Sequence, residues 1–216
     1  MLLGLTGVAH SGKSTIADYL KDEYGFKQYY FVGPVKQALY NMNPLIKRVI
    51  SSGYYGQTAH LPLQEIVDDL GWDEAKKIPM VRELLQRMGT EAGRDIHGED
   101  VWVNHTFADI HKECEWEHSF HVGEGVLKLL LVTDVVIPDL RFTNEAERIK
   151  RHGGLIIRVD RGYDPVNNHI SEAGLDLNLV DINFYNNGNI SELGQEIDKL
   201  LEYTGYENIR RSRNRT

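Results

Sequence analysis

The chain reads as an α/β protein with a doubly wound parallel sheet, and three features of its sequence predict this. A short apolar run, Leu2 to Leu5, feeds a glycine-containing loop and then an amphipathic segment from Ser14, the strand–loop–helix unit of such folds. Later apolar runs near 26–31, 132–138, 155–159 and 181–185 alternate with segments of helical spacing, which implies right-handed crossovers. The closing stripe Leu193, Ile197, Leu200 and Leu201 supplies one more helical face to cover the sheet.

The first run is almost continuously apolar, as a central strand covered on both faces must be. A helix is predicted over 13–23, a second strand over 26–31, and a second helix over 35–40, opened by Gly33-Pro34 with proline at a first-turn position. Residues 43–62, with Ser51-Ser52-Gly53-Tyr54-Tyr55-Gly56, read as a mobile loop or short helices over a cleft. Val81, Leu84, Leu85 and Met88 recur at helical spacing from Pro79, and Gly89-Thr90 ends or interrupts that run. A helix follows over 101–114, striped by Val103, Phe107 and Ile110; 115–125 reads as an exposed connection or hairpin. A buried strand over 132–138 precedes a helix over 144–152 stopped by Gly153-Gly154, then a strand over 155–159. Residues 161–179 are irregular, 181–185 form a last strand, and Ser191 is the expected cap of the closing helix.

Composition narrows the function. With 216 residues the chain suits one α/β domain with insertions. Lys and Arg number 24 against 32 Asp and Glu, a formal charge of -8, so the surface repels polyanions and nucleic acid is not the expected main partner. Any anion site must be local. The single Cys114 excludes an internal disulfide, fits a reducing compartment, and reads as an ordinary helix residue. No apolar run approaches membrane-spanning length and no leader pattern appears, so a soluble, cytoplasmic protein is expected. His105, His111, His118 and His121 lack the tight spacing of a zinc site. The basic stretch after residue 206 reads as a solvated terminus.

The chemistry concentrates in Gly7-Val8-Ala9-His10-Ser11-Gly12-Lys13-Ser14-Thr15, a complete G-x-x-x-x-G-K-[ST] loop in its required context. A chain that wraps phosphate oxygens must turn its N–H groups inward, and Gly7 and Gly12 permit the conformations and close approach involved. Lys13 adds a point charge between β- and γ-phosphates, Ser14 offers a hydroxyl to Mg²⁺, and the helix behind brings its positive end to the same spot. A nucleoside triphosphate is therefore the first expected ligand. The strand ending Ile137-Pro138-Asp139-Leu140-Arg141-Phe142 delivers Asp139 and Arg141 to the sheet edge where ligands of such folds bind; Asp139 suits a metal and Arg141 a phosphate.

With these residues in place, the chain resembles the phage-type deoxynucleoside monophosphate kinases, a branch of the phosphate-loop kinases. The resemblance runs nearly end to end. Besides the loop it rests on Gly33-Pro34-Val35-Lys36-Gln37-Ala38-Leu39, Arg82-Glu83-Leu84-Leu85-Gln86-Arg87-Met88-Gly89-Thr90-Glu91, Asp100-Val101-Trp102-Val103 and Pro138-Asp139-Leu140-Arg141-Phe142-Thr143-Asn144-Glu145-Ala146. His169-Ile170-Ser171-Glu172-Ala173-Gly174-Leu175 and Asn186-Asn187-Gly188-Asn189-Ile190-Ser191-Glu192-Leu193 follow in order. It implies a three-layer α/β/α sandwich with a parallel central sheet, a helical acceptor-binding insertion over about 35–115, and a lid-like segment over about 161–179.

It further implies transfer of the γ-phosphate of ATP, with Mg²⁺, to a deoxynucleoside 5′-monophosphate. Gly7, His10, Ser11, Gly12, Lys13, Ser14 and Thr15 would hold the donor, with Arg161 and a wall of Asn186, Asn187 and Gly188 on its adenine side. Lys36, Arg82, Gln86, Gly89, Thr90, Trp102, Arg141 and Glu145 would serve the acceptor: Lys36 and Arg82 on phosphate, Gln86 on the base edge, Trp102 stacking, Glu145 steadying Arg141. Lys13, Arg141 and Asp139 would carry catalysis, Ser14 and Asp139 the metal. A monophosphate is already a competent nucleophile, so no general base is required. Two other readings stay open: a kinase of another small acceptor, such as dephospho-coenzyme A, and a noncatalytic nucleotide sensor, against which the lack of an N-K-x-D motif counts. A homodimer is compatible with the sequence, though no uninterrupted apolar stripe marks an interface.

Overall fold

The computed structural model describes residues 1–49, 58–121, 126–161 and 175–206. The tips of the 43–62 and 115–125 segments, most of the 161–179 segment with His169, and the basic tail lie outside the described residues. Two compact units are formed, one of Met1–Tyr30 with Ala108–Thr216 and one of Phe31–Phe107.

The first unit is organised on strand β1 (Leu2–Thr6), followed by helix α1 (Lys13–Tyr24) and the two-residue strand β2 (Lys27–Gln28). Further along the chain it adds β7 (Val135–Ile137), α7 (Thr143–Arg151), β8 (Leu155–Asp160), β9 (Ile182–Tyr185) and α8 (Ile190–Tyr203). The five strands form one parallel sheet in the order β2-β7-β1-β8-β9. β1 is central, as its unbroken apolar run requires: all five residues are buried. The period of two along it assigns the two faces. Leu3 and Leu5 pack with Ile16, Ala17 and Leu20 of α1 and with Leu193, Ile197 and Leu201 of α8. Gly4 faces the other way, so close to α7 that a Cβ there would stand 2.6 Å from Ile149 Cδ1. Helices on both faces of a parallel sheet make the expected three layers.

Tyr206, fully buried, closes the core beyond α8; its hydroxyl donates to Asp134 Oδ2 at 2.9 Å, and the Met1 ammonium pairs with the other oxygen of that carboxylate. Asp134 is therefore committed to the fold. The 126–137 apolar run breaks at Val132: β5 (Trp116–His121) and β6 (Val126–Leu131) form an antiparallel hairpin of their own, longer than the sequence suggests. His111 stacks on Trp116 with ring centroids 4.1 Å apart, and His152 meets both rings edge-on at 5.7 Å.

The unit of residues 31–107 contains α2 (Gly33–Met42), β3 (Leu45–Val49), β4 (Thr58–Pro62), α3 (Leu63–Ala75), α4 (Pro79–Gly89) and the three-residue α5 (Asp95–His97). Helix α6 (Val101–Glu113) begins in it and runs on into the first unit's residues. The 43–62 segment is thus not a plain loop: its ends pair as an antiparallel ladder, Leu45 opposite Pro62 through Val49 opposite Thr58. Of Leu45 to Arg48 in the first strand only Ile46 is fully buried, so the hydrophobic pattern that advertises a strand is weak. Ile46 joins Leu39, Leu63, Ile66, Val67, Ala75 and Val81 in a second core. Gly89 ends α4 as expected, but the chain continues into a π-turn over Thr90–Arg94 rather than leaving the helix.

One cap also differs. Helix α8 starts at Ile190, and Asn189, not Ser191, caps it: Asn189 Oδ1 accepts from the Glu192 N–H at 3.1 Å while Glu192 Oε2 accepts from the Asn189 N–H at 2.9 Å.

Candidate active site

The loop between β1 and α1 takes backbone conformations that its glycines make accessible. Gly7 has φ 131° and Gly12 φ 107°, and His10 between them sits at φ 64°. A methyl group on Gly7 would stand 2.2 Å from the Val159 carbonyl oxygen of β8, so the loop is pressed onto the neighbouring strand. Ser11 is buried, whereas Ser14 and Thr15 are exposed on the first turn of α1. The Lys13 ammonium folds over the loop and donates to the carbonyls of Gly7 and Val8, both at 2.7 Å, with Ser11 Oγ at 3.5 Å. A phosphate entering the loop would meet this ammonium already held at its mouth.

Beside the loop lies a cavity of about 470 Å³ lined by Gly12, Thr15, Arg161, Asn186, Gly188, Asn189 and Leu193. Arg161 follows β8 and the Asn186–Asn189 turn follows β9, so two neighbouring parallel strands deliver them to the end of the sheet that carries the loop. Of the residues expected on the adenine side, Arg161, Asn186 and Gly188 line this cavity, joined by Asn189, whereas Asn187 is exposed and is not among the lining residues.

Asp139 and Arg141 come from the other neighbour of β1. β7 ends at Ile137, paired with Gly4, and Asp139 follows in the turn just beyond it, at the end of the sheet that carries the loop. Glu145 is buried at 2% exposure, and its Oε2 accepts from the backbone N–H groups of Arg141 at 2.8 Å and Phe142 at 3.0 Å. It fixes the main chain that bears Arg141. That oxygen is committed to main-chain amides at the start of α7.

Within residues 31–107, α4 presents Arg82 and Gln86, both exposed and four apart, opposite its buried Val81. Thr90 is exposed at the head of the π-turn. The Lys36 ammonium lies over the Trp72 ring, 5.7 Å from its centroid, a contact that pattern alone gave no means of finding. Trp102 is only 8% exposed, its indole N–H donates to the Gly89 carbonyl at 2.8 Å, and its ring covers Gly93 so closely that a Cβ there would stand 2.4 Å away. The stacking face expected of Trp102 is thus mostly used inside the protein. The π-turn and Gly93 make room for it, and it braces the Gly89–Thr90 backbone.

A glycine-pinned phosphate loop at the head of a three-layer parallel sheet, with an acid and an arginine brought to the same sheet edge, defines a phosphate-loop protein of the nucleotide-kinase type. A sequence profile of the deoxynucleotide monophosphate kinase family matches residues 47–197. The chain is similar to a putative deoxynucleotide monophosphate kinase of Acanthamoeba polyphaga mimivirus, at 33% identity over 94% of this chain and 96% of that one. It is also similar to the deoxynucleotide monophosphate kinases of Enterobacteria phage T4 (24%; 93% and 98% of the two chains) and Escherichia phage RB69 (23%; 93% and 99%). The chain belongs to the deoxynucleotide monophosphate kinase family, and it is an enzyme, a nucleotide kinase. No helix among the described residues is long and apolar enough to cross a membrane.

Proposed function

We propose that this kinase transfers the γ-phosphate of ATP to a deoxynucleoside 5′-monophosphate, releasing the diphosphate for DNA precursor supply in the cytoplasm, the host's if the chain is phage-encoded. The observation that carries the donor half is the Lys13 ammonium poised over the Gly7 and Val8 carbonyls, in a loop that shares Gly12 and Thr15 with the cavity beside it. That cavity, with the Arg161 guanidinium and the amides of the Asn186–Asn189 turn, suits the base and ribose of the donor.

Phosphoryl transfer through a loose transition state asks for positioning and charge rather than covalent chemistry. Lys13 holds the terminal phosphates and neutralises charge as it spreads. Arg141, its backbone fixed by Glu145, adds a second cation at the same sheet edge. The exposed Ser14 hydroxyl and the Asp139 carboxylate are hard oxygen donors of the kind Mg²⁺ takes, and the ion, when bound, would supply further charge neutralisation. On the acceptor side, Lys36 and Arg82 bind the monophosphate, while Gln86 and the Gly89–Thr90 backbone meet the base. Trp102 acts by supporting that backbone. Exclusion of water requires closure over both nucleotides, a role assigned to the 43–62 and 161–179 segments.

The test is a product panel: the protein with ATP, Mg²⁺ and, separately, each of four deoxynucleoside monophosphates, dephospho-coenzyme A, or water. A deoxynucleoside diphosphate is the expected product. Phosphorylated coenzyme A alone, or only slow release of free phosphate, would overturn the proposal.

A further inference from the structure

Asn186 is the point where the base end of the candidate donor site is joined to its phosphate end. It follows β9, is 5% exposed, and its main-chain N–H donates to the Asp160 carbonyl at 2.7 Å, locking the chain exit to β8. Its side chain then crosses to the loop: Nδ2 donates to the Ser11 carbonyl at 2.8 Å and occupies the space where a Cβ on Gly12 would sit, 2.3 Å from that position. This gives Gly12 a second reason to be glycine, besides its φ of 107°.

The consequence is orientational. The Ser11–Gly12 peptide is planar and trans, so its C=O and N–H point in opposite directions. Holding the Ser11 oxygen towards Asn186 therefore holds the Gly12 N–H away from it. Gly12, on one side of this peptide, sits at φ 107°, and glycine's freedom there leaves the peptide able to turn over unless a contact holds it. The group facing the Ser11 carbonyl must be a hydrogen-bond donor that carries no negative charge. A carboxylate would set lone pairs against the carbonyl, and an alanine would leave that carbonyl without its partner in a buried place.

We propose that Asn186 is a positioning residue for the donor nucleotide: it sets the direction of the Ser11–Gly12 peptide so that the Gly12 amide faces the phosphates, and it ties the turn lining the base cavity to the phosphate loop. This rests on the donor-site reading given above. It specifies an effect on ATP and not on the monophosphate, whose assigned residues are on other elements.

The test compares Asn186→Ala and the near-isosteric Asn186→Asp, using KM for both substrates, kcat, and direct binding of a methylanthraniloyl derivative of ATP. Near pH 8 both variants are expected to weaken ATP binding and raise its KM by about tenfold to a hundredfold, with the monophosphate KM changed less than about twofold. On acidification towards about pH 5.5 the Asp variant alone is expected to recover at least about fivefold relative to wild type. Its buried carboxyl takes up a proton and becomes an O–H donor to Ser11. If Asn186→Ala does not fold, the pH profile of Asn186→Asp decides by itself. An Asp variant equal to wild type throughout, or equal losses for both substrates without recovery in acid, would overturn the assignment and leave the donor site standing. Wild-type protein that fails to bind the ATP derivative would overturn the donor-site reading, and this assignment with it.

Discussion

In the unit of residues 1–30 and 108–216 the candidate ligand groups of the phosphate loop include main-chain amides and one ammonium, and buried neighbours hold that loop: Val159 against Gly7, Asn186 against Gly12 and Ser11. In residues 31–107 they are side chains exposed on one helical face, Arg82 and Gln86, backed by Val81 and braced by Trp102 on Gly89. The first arrangement tolerates little change, because moving any atom of the loop moves the fold around it. The second can exchange side chains at small cost to folding, since exposed positions away from caps and packing contribute little to stability. A kinase that must keep one phosphate donor while adjusting its acceptor gains from that division.

The largest break in the comparison is expected from Gly7→Ala. Its Cβ would be driven into the Val159 carbonyl at a positive φ, so ATP binding should disappear together with about 3 kcal/mol or more of stability. Equilibrium unfolding and nucleotide titration on the same sample would show whether the two losses coincide. Lys13→Ala separates them. Its ammonium donates to the carbonyls of Gly7 and Val8 in the loop, so the variant should lose little stability compared with Gly7→Ala while turnover falls roughly 10²–10³-fold. Near-normal turnover of ATP with any monophosphate would remove Lys13 from the mechanism.

Arg82→Ala addresses the other unit. The monophosphate KM should rise about tenfold or more through loss of a charge-assisted contact, with the ATP KM and the unfolding midpoint little changed. A rise in the ATP KM of similar size would show that the division of labour drawn between the units is wrong.

The smallest effect concerns pH and belongs to the first unit. Burial beside Trp116 and His111 holds the His152 imidazole below its ordinary value; the Arg148 carbonyl, 2.8 Å from Nδ1, opposes this, and the nearby charges of His111, Arg148 and Arg151 add to it. The unfolded chain therefore binds this proton more readily. Stability is full above the unfolded value near 6.5 and declines as pH drops from there towards the lower folded value. The melting temperature should fall in that window by less than about 3 °C, and His152→Gln should reduce the fall. An unchanged pH dependence in the variant would place the titrating group elsewhere.

How far all this was legible beforehand follows from the range of the contacts involved. The phosphate loop was plain because its requirements are local: two glycines, a lysine and a hydroxyl between an apolar strand and a helix. The parallel sheet followed from apolar runs of strand length. The β3–β4 ladder is hidden, since of Leu45 to Arg48 in its first strand only Ile46 is fully buried. The cap of α8 was misplaced by two residues because Asn189 and Ser191 are both good capping residues, and only the reciprocal bond with Glu192 selects between them. Trp102 carried a composition signal shared by core and binding tryptophans; the π-turn and its contact with Gly93 show it braced inside the protein.

A phosphate loop at the head of a central parallel strand, and the family resemblance, are written in short stretches of consecutive residues and can be read there directly. What holds that loop in shape comes from far along the chain. Val159 and Asn186 reach it from the two strands at one side of β1, across separations of about 150 and 175 residues. A contact formed by such distant parts of the chain exists only once the sheet has brought β1, β8 and β9 side by side.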